Sequence, residues 1–251
     1  MKFLWIIIGL VVFLGAGVGL PAWQLGYFNL PGETIPFTVQ KGENFALLAR
    51  KLQNEGVIQS ERALRWYVAF ASPSKSLKRG EFGLYKNMPI PQVVRALTEG
   101  KPMEYKFTVP EGFNLYQIAE SLEAKGFAAK VDFIAAAKNP EVIRTIPTLR
   151  EGEKLPRSIE GYIYPDTYFL QKVFSAREIA QLMVVRFREA YKQLAPELAS
   201  SSTVSELNLS PHEVVVLASI VEKETGAAEE RPLIASVFTN RLRKRMRLQT
   251  D

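Results

Sequence analysis

Phe107-Thr108-Val109-Pro110-Glu111-Gly112-Phe113-Asn114-Leu115 restates an earlier stretch of the same chain, Phe37-Thr38-Val39 with Gly42 and Asn44. Ala49, Leu52 and Gly56 return as Ala119, Leu122 and Gly126, every match falling at an offset of 70. Self-similarity of this kind marks a repeated supersecondary unit. Each copy reads as a short β-type run, a glycine turn, and a helix capped by Asn44 or Asn114, good acceptors for first-turn amides. Gly56 and Gly126 suit the left-handed position that closes a helix. A second helix follows, over Ser60–Phe70 in the first copy and Val131–Lys138 in the second. After the first copy, Gly80–Leu84 reads as a strand and Pro91–Glu99 as a further helix. The expected fold class is α+β.

A strand–helix–helix–strand unit resembles the small LysM-type sugar-binding module, and two copies give two chances to meet a long polymer. The same pattern suits a duplicated scaffold that only positions the rest of the chain, and the residues leave both readings open. With 47% hydrophobic residues over 251 positions, the chain can form proper cores. Cysteine is absent, which removes a disulfide framework and a thiolate metal site. A net charge of +6 favours anionic partners. The run 3–23 is uncharged and long enough to cross the roughly 30 Å hydrocarbon core of a bilayer. Lys2 before it places the N-terminus in the cytoplasm. No A-x-A pattern closes the run, so an uncleaved anchor is favoured over a signal peptide. The expected layout is a cytoplasmic tip and single-pass anchor over 1–28, a LysM-like module over 29–104, a second repeat and linker over 105–150, and a mainly helical domain over 151–251. The bulk of the chain would then lie on the periplasmic or outer side of a bacterial cell membrane, where nucleic acid is not a partner.

Within 151–251, Glu160-Gly161-Tyr162-Ile163-Tyr164-Pro165-Asp166-Thr167-Tyr168 crowds aromatics around a Pro-Asp turn. Such rings stack on sugar faces beside a hydrogen-bonding Asp, or they fill the core of a short β-hairpin. Both remain open. Ala176–Leu194 is an amphipathic helix with Ile179, Leu182, Met183, Phe187 and Ala190 inward, and Ser201–Leu209 is a polar loop. Ser210, Pro211 and Glu213 form a capping box with proline at the first helical position. The helix they open carries Leu217, Val221 and Glu224 on one face, with Glu222 pointing elsewhere. A carboxylate buried among such side chains would resist ionisation, which suits a general acid for glycosidic cleavage. A last helix over Glu229–Arg247 has Ile234, Val237, Phe238 and Leu242 inward. Its basic end is either a solvated terminus complementing the helix dipole or a contact for glycan-linked carboxylates. His212, the only histidine, lacks a triad or metal-ligand pattern and reads as a surface residue.

Four ordered motifs carry a resemblance: Glu160-Gly161-Tyr162 with Tyr164-Pro165-Asp166-Thr167-Tyr168, then 218–225, then 236–242, then Met246-Arg247-Leu248-Gln249-Thr250-Asp251. Together they look like the MltG (YceG-like) endolytic murein transglycosylase family, whose anchor and LysM-like layout also match. The resemblance implies a lyase that cuts the β-1,4 bond between N-acetylmuramic acid and N-acetylglucosamine within peptidoglycan strands. It leaves 1,6-anhydro ends and needs no metal or organic cofactor. It also implies that Glu224, second glutamate of the Glu-Lys-Glu triplet, is the catalytic acid. Tyr162, Tyr164 and Tyr168 would stack on sugars, while Asp166, Asn240, Gln249 and Asp251 would hold hydroxyl or N-acetyl groups. Arg241 would pair with a muramyl carboxylate or with Glu222, itself a candidate second acid. Members of the family usually continue past the Gln-Thr-Asp motif, so the catalytic domain is expected to be incomplete at its C-terminus. The rival reading is a catalytically silent, membrane-anchored wall-binding scaffold working through cell-wall synthases.

Overall fold

The computed structural model describes residues 25–27, 30–71, 76–146 and 155–249. The expected membrane anchor, the 147–154 connection and Asp251 lie outside them. Among the described residues no helix is long and apolar enough to cross a membrane. The fold is α+β, mainly helical, with two small antiparallel sheets. It divides into two compact units, Met1–Glu104 with Gln171–Val173, and Tyr105–Leu170 with Phe174–Asp251.

The first unit contains the first repeat. Strand β1 (Thr34–Val39) leads through helices α1 (Phe45–Asn54) and α2 (Glu61–Ala71) to β2 (Gly80–Tyr85), and α3 (Ile90–Thr98) follows. Asn44 accepts from the Leu47 amide, as its position predicts. Gly56, just past α1, has φ +72, a conformation that any side chain would strain. The strands pair with Phe37 opposite Phe82 and Ile35 opposite Leu84. Alternation turns Phe37 and Val39 inward onto Leu48, Leu52, Leu64, Val93 and Leu97, all buried. Each such aliphatic side chain contributes roughly 1.5–3 kcal/mol of transfer free energy.

The second unit repeats the plan with a longer excursion. Strand β3 (Tyr105–Thr108), helix α4 (Leu115–Ala124) and helix α5 (Lys130–Ala137) match the first copy, and Asn114 with Gln117 completes a capping box. A short helix α6 (Pro140–Ile143) follows, and only then does β4 (Thr167–Leu170) close the sheet. β4 pairs antiparallel with β3, with Phe107 opposite Tyr168 and Tyr105 opposite Leu170. These pairs reproduce Phe37 with Phe82 and Ile35 with Leu84. The aromatic segment is therefore not a local β-hairpin. It supplies the missing last strand of the second repeat, and Tyr168 finds its cross-strand partner, Phe107, 61 residues upstream. For the same reason the units do not part at 147–156: Phe107, Leu122, Phe133, Ile159, Tyr162, Tyr168 and Met183 share one core.

Helix α7 (Ala176–Ser200), opened by a Ser175–Glu178 capping box, covers this core with Ile179, Ala180, Met183, Val184, Phe187 and Ala190. It runs six residues past Leu194, through Pro196, although its buried face ends at Ala190. The expected polar loop contains a short helix, α8 (Ser202–Glu206). Helix α9 (Pro211–Glu224) begins at the predicted Ser210–Glu213 capping box, and α10 (Arg231–Arg243) is shorter than expected. Of α10's predicted inward residues only Phe238 is buried, and Val237 is 44% exposed.

Candidate active site

A groove of about 390 Å³ lies along α9, lined by Glu160, Gly161, Tyr162, His212, Val215, Val216, Ser219, Ile220, Lys223 and Glu224. Gly161 explains how the Glu160–Tyr162 turn reaches the helix. Its φ is +83, and a Cβ there would sit 3.3 Å from Ser219 Oγ and 3.8 Å from Val215 Cγ1. Only glycine lets the turn lie this close to α9 without strain. Tyr162 then drives inward, 1% exposed, edge-on to Phe187 with ring centroids 5.1 Å apart. Its other neighbour is His212, stacked at 6.0 Å, and the Tyr162 hydroxyl shares a hydrogen bond with His212 Nδ1. The lone histidine is thus half-buried in the groove rather than a surface residue. Its sequence signal was too weak to find it, because its partner lies 50 residues away.

Glu224 ends α9 and Thr225 caps it. Val221 is buried and Leu217 half-buried, but Glu224 is exposed at the groove. The apolar face stops one turn before the carboxylate, so burial among valine and leucine is not its environment. Lys223, beside it, donates from Nζ to the Gly112 carbonyl at 2.8 Å. Glu222 faces away from the groove and pairs with Arg231 at 3.2 Å, and Arg231 also reaches Glu111 at 3.2 Å. The partner of Glu222 is therefore Arg231 and not Arg241. These contacts fasten the last turn of α9 to the β3–α4 turn.

The other expected residues do not converge on the groove. Asp166 accepts from Arg186 Nε at 2.6 Å and from the Thr167 amide at 2.7 Å. Those bonds, the Arg186 one foremost, hold its carboxyl below the usual carboxylate range. Arg186 also lies 5.0 Å over the half-exposed Tyr164 ring. Tyr168 is buried and donates to the Tyr164 carbonyl, and burial, its main cause, pushes the phenol pKa upward. Tyr168 is thus a core ring, and Tyr162, although it lines the groove, is too buried to offer a sugar an open face. Asn240 accepts from Arg243, Arg241 donates to the Leu248 carbonyl, and Gln249 is exposed with φ +51. In the basic end of α10, Arg243 forks onto Glu206 at 2.9–3.1 Å. Among the described residues no cluster of His, Cys, Asp and Glu could hold a metal ion.

The YceG-like family matches residues 37–251, from β1 through both repeats and the whole groove. The chain belongs to the YceG-like family. An endolytic murein transglycosylase of Streptococcus pneumoniae is 31% identical over 235 residues, 85% of this chain and 41% of that protein. One of Bacillus subtilis is 31% identical over 232 residues, 87% of this chain and 61% of that protein. This YceG-like chain therefore spans 41–61% of the length of the curated relatives it matches. A crystal structure of a yceG-like protein from Listeria monocytogenes is 30% identical, covering 88% of this chain and 73% of that one, with a TM-score of 0.48.

Proposed function

We propose that this chain is a membrane-anchored lytic transglycosylase of peptidoglycan, with Glu224 as its single acid and base. The carrying observation is that Glu224 opens onto the groove formed where the Glu160–Tyr162 turn meets α9. The names borne by the relatives, endolytic murein transglycosylases, supply the substrate class. The bond cut is the β-1,4 link from N-acetylmuramic acid to N-acetylglucosamine inside a nascent strand, which ends that strand's growth. Protonated Glu224 donates to the leaving oxygen as the C1–O bond breaks. The muramyl C6 hydroxyl closes on C1 and returns its proton to Glu224, leaving a 1,6-anhydro end. One carboxylate thus serves as acid and then base, where hydrolases use two. The uncharged run 3–23 supports a single-pass anchor, and with it a place at the membrane beside the cell-wall synthases. The two strand–helix–helix–strand copies support a LysM-like role in holding the glycan.

The test is incubation of the full chain, in detergent, with purified sacculi. Soluble 1,6-anhydro-muropeptides in the mass spectrum, lost in Glu224→Gln, are the expected result. A wild-type protein that binds sacculi and releases nothing would leave the silent scaffold as the better reading.

A further inference from the structure

We propose that Glu160 is the second carboxylate of this groove, a substrate-contacting anion that steadies the positive charge developing at C1. The inference rests on the reading of Glu224 as the acid. Glu222, the candidate second acid of the sequence, points to another face of α9, and both of its oxygens lie against Arg231, at 3.4 and 3.2 Å. Glu160 is placed differently. Its neighbour Gly161 presses the turn onto the Val215–Ser219 row of α9, which continues to Lys223 beside Glu224. On the other side, Glu160 Oε1 accepts from the Leu115 amide at 3.3 Å, in the first turn of α4. Lys223 grips the Gly112 carbonyl of the loop that enters the same helix. The exposed Glu160 side chain is therefore held between α4 and α9, on the wall it shares with Glu224. Its Oε2 has no hydrogen-bond partner among the described residues and is left to a ligand.

Cleavage of a glycosidic bond passes through an oxocarbenium-like state, and fixed negative charge near C1 favours it over the neutral ground state. The proton accounting is unchanged: Glu224 gives one proton to the leaving oxygen and takes one from the C6 hydroxyl, and Glu160 exchanges none. A nucleophilic role is not required, because C6–OH is the nucleophile.

Glu160→Gln separates this role from a purely structural one. The amide oxygen can still accept from Leu115 N–H, so α4 keeps its tie while the charge is lost. With the full chain in detergent and soluble uncrosslinked glycan strands, anhydro-product release should fall at least about tenfold in kcat, with KM within about twofold. The melting temperature should not move, and Glu160→Asp should recover part of the rate. Glu160→Gln at the wild-type rate would overturn the inference while leaving Glu224 intact. The same holds if Asp fails to recover any rate in a protein of unchanged melting temperature. Reducing ends formed by wild type and lost in Glu160→Gln would instead make Glu160 a base for water and overturn the electrostatic role. No product from wild type and Glu224→Gln alike would sink the transglycosylase reading, and the role of Glu160 with it.

Discussion

Replacing Gly161 by alanine tests the geometry that forms the groove. Two costs add. An L-residue in the left-handed region loses roughly 1–2 kcal/mol, and Gly161 has φ +83. The new methyl would also meet Ser219 Oγ at 3.3 Å, and that hydroxyl is held by its bond to the Val215 carbonyl at 2.9 Å. Turning the hydroxyl away forfeits a hydrogen bond of about 0.5–1.5 kcal/mol. The expected destabilisation is about 2 kcal/mol, which lowers the melting temperature of a unit this size by about 4–8 °C. Thermal unfolding followed by circular dichroism measures it. Measured in a Ser219→Ala background, where no hydroxyl has to turn away, Gly161→Ala should cost about 0.5–1 kcal/mol less than in wild type, leaving only the backbone part. A Gly161→Ala protein that melts within about 1 °C of wild type would refute the claim that the turn needs glycine to reach α9.

Three further outcomes follow from the same structure. Tyr162→Phe removes the hydroxyl bonded to His212 and should cost about 1 kcal/mol, read by chemical denaturation. Phe107→Ala and Phe37→Ala each hollow a separate core, each costing about 3–5 kcal/mol. Hydrogen exchange should show the protection lost in 105–170 for the first and in 30–104 for the second. Asp166→Asn should cost about 0.5–1 kcal/mol at neutral pH, a modest figure because both partners of the Arg186 pair are about a third exposed. The Asp166 carboxyl is held below its ordinary value of 3.8, so its stabilisation is fully present above that pH. It is lost as pH falls through the lower folded value. The gap between wild type and Asp166→Asn should therefore close on acidification below about pH 3.8 and stay constant above it.

Local chemistry was the most legible part of the sequence. Asn44, Asn114 and the Ser210–Glu213 box act within three residues of themselves, and all three cap as their spacing says. Strand pairing was not legible, for a definite reason. The repeat keeps an offset of 70 through Gly126, but its last strand arrives 86 residues after its counterpart, as Phe82 with Tyr168 and Leu84 with Leu170 show. The intervening α6 and the 147–154 connection hide the match. At the site, the helical-face reading put Glu224 on the same arc as Val221. It could not foresee that α9 ends there, so that one residue is buried and the other meets solvent. Tyr162 and Tyr168 read equally well as sugar platforms or as core, because an aromatic does not announce which face its strand will cover.

Closure of the second sheet by β4 sets a limit on how this chain can be shortened. A fragment cut at the apparent start of the helical half, 151–251, would carry β4 without β3. It would present an unpaired strand edge and uncover Tyr168 and Leu170, which are 3% and 0% exposed in the intact chain. Bare edges of this kind recruit other chains. The smallest piece that keeps both the groove and its sheet must begin at or before Tyr105, so the second repeat and the helical half that carries the groove cannot be expressed apart.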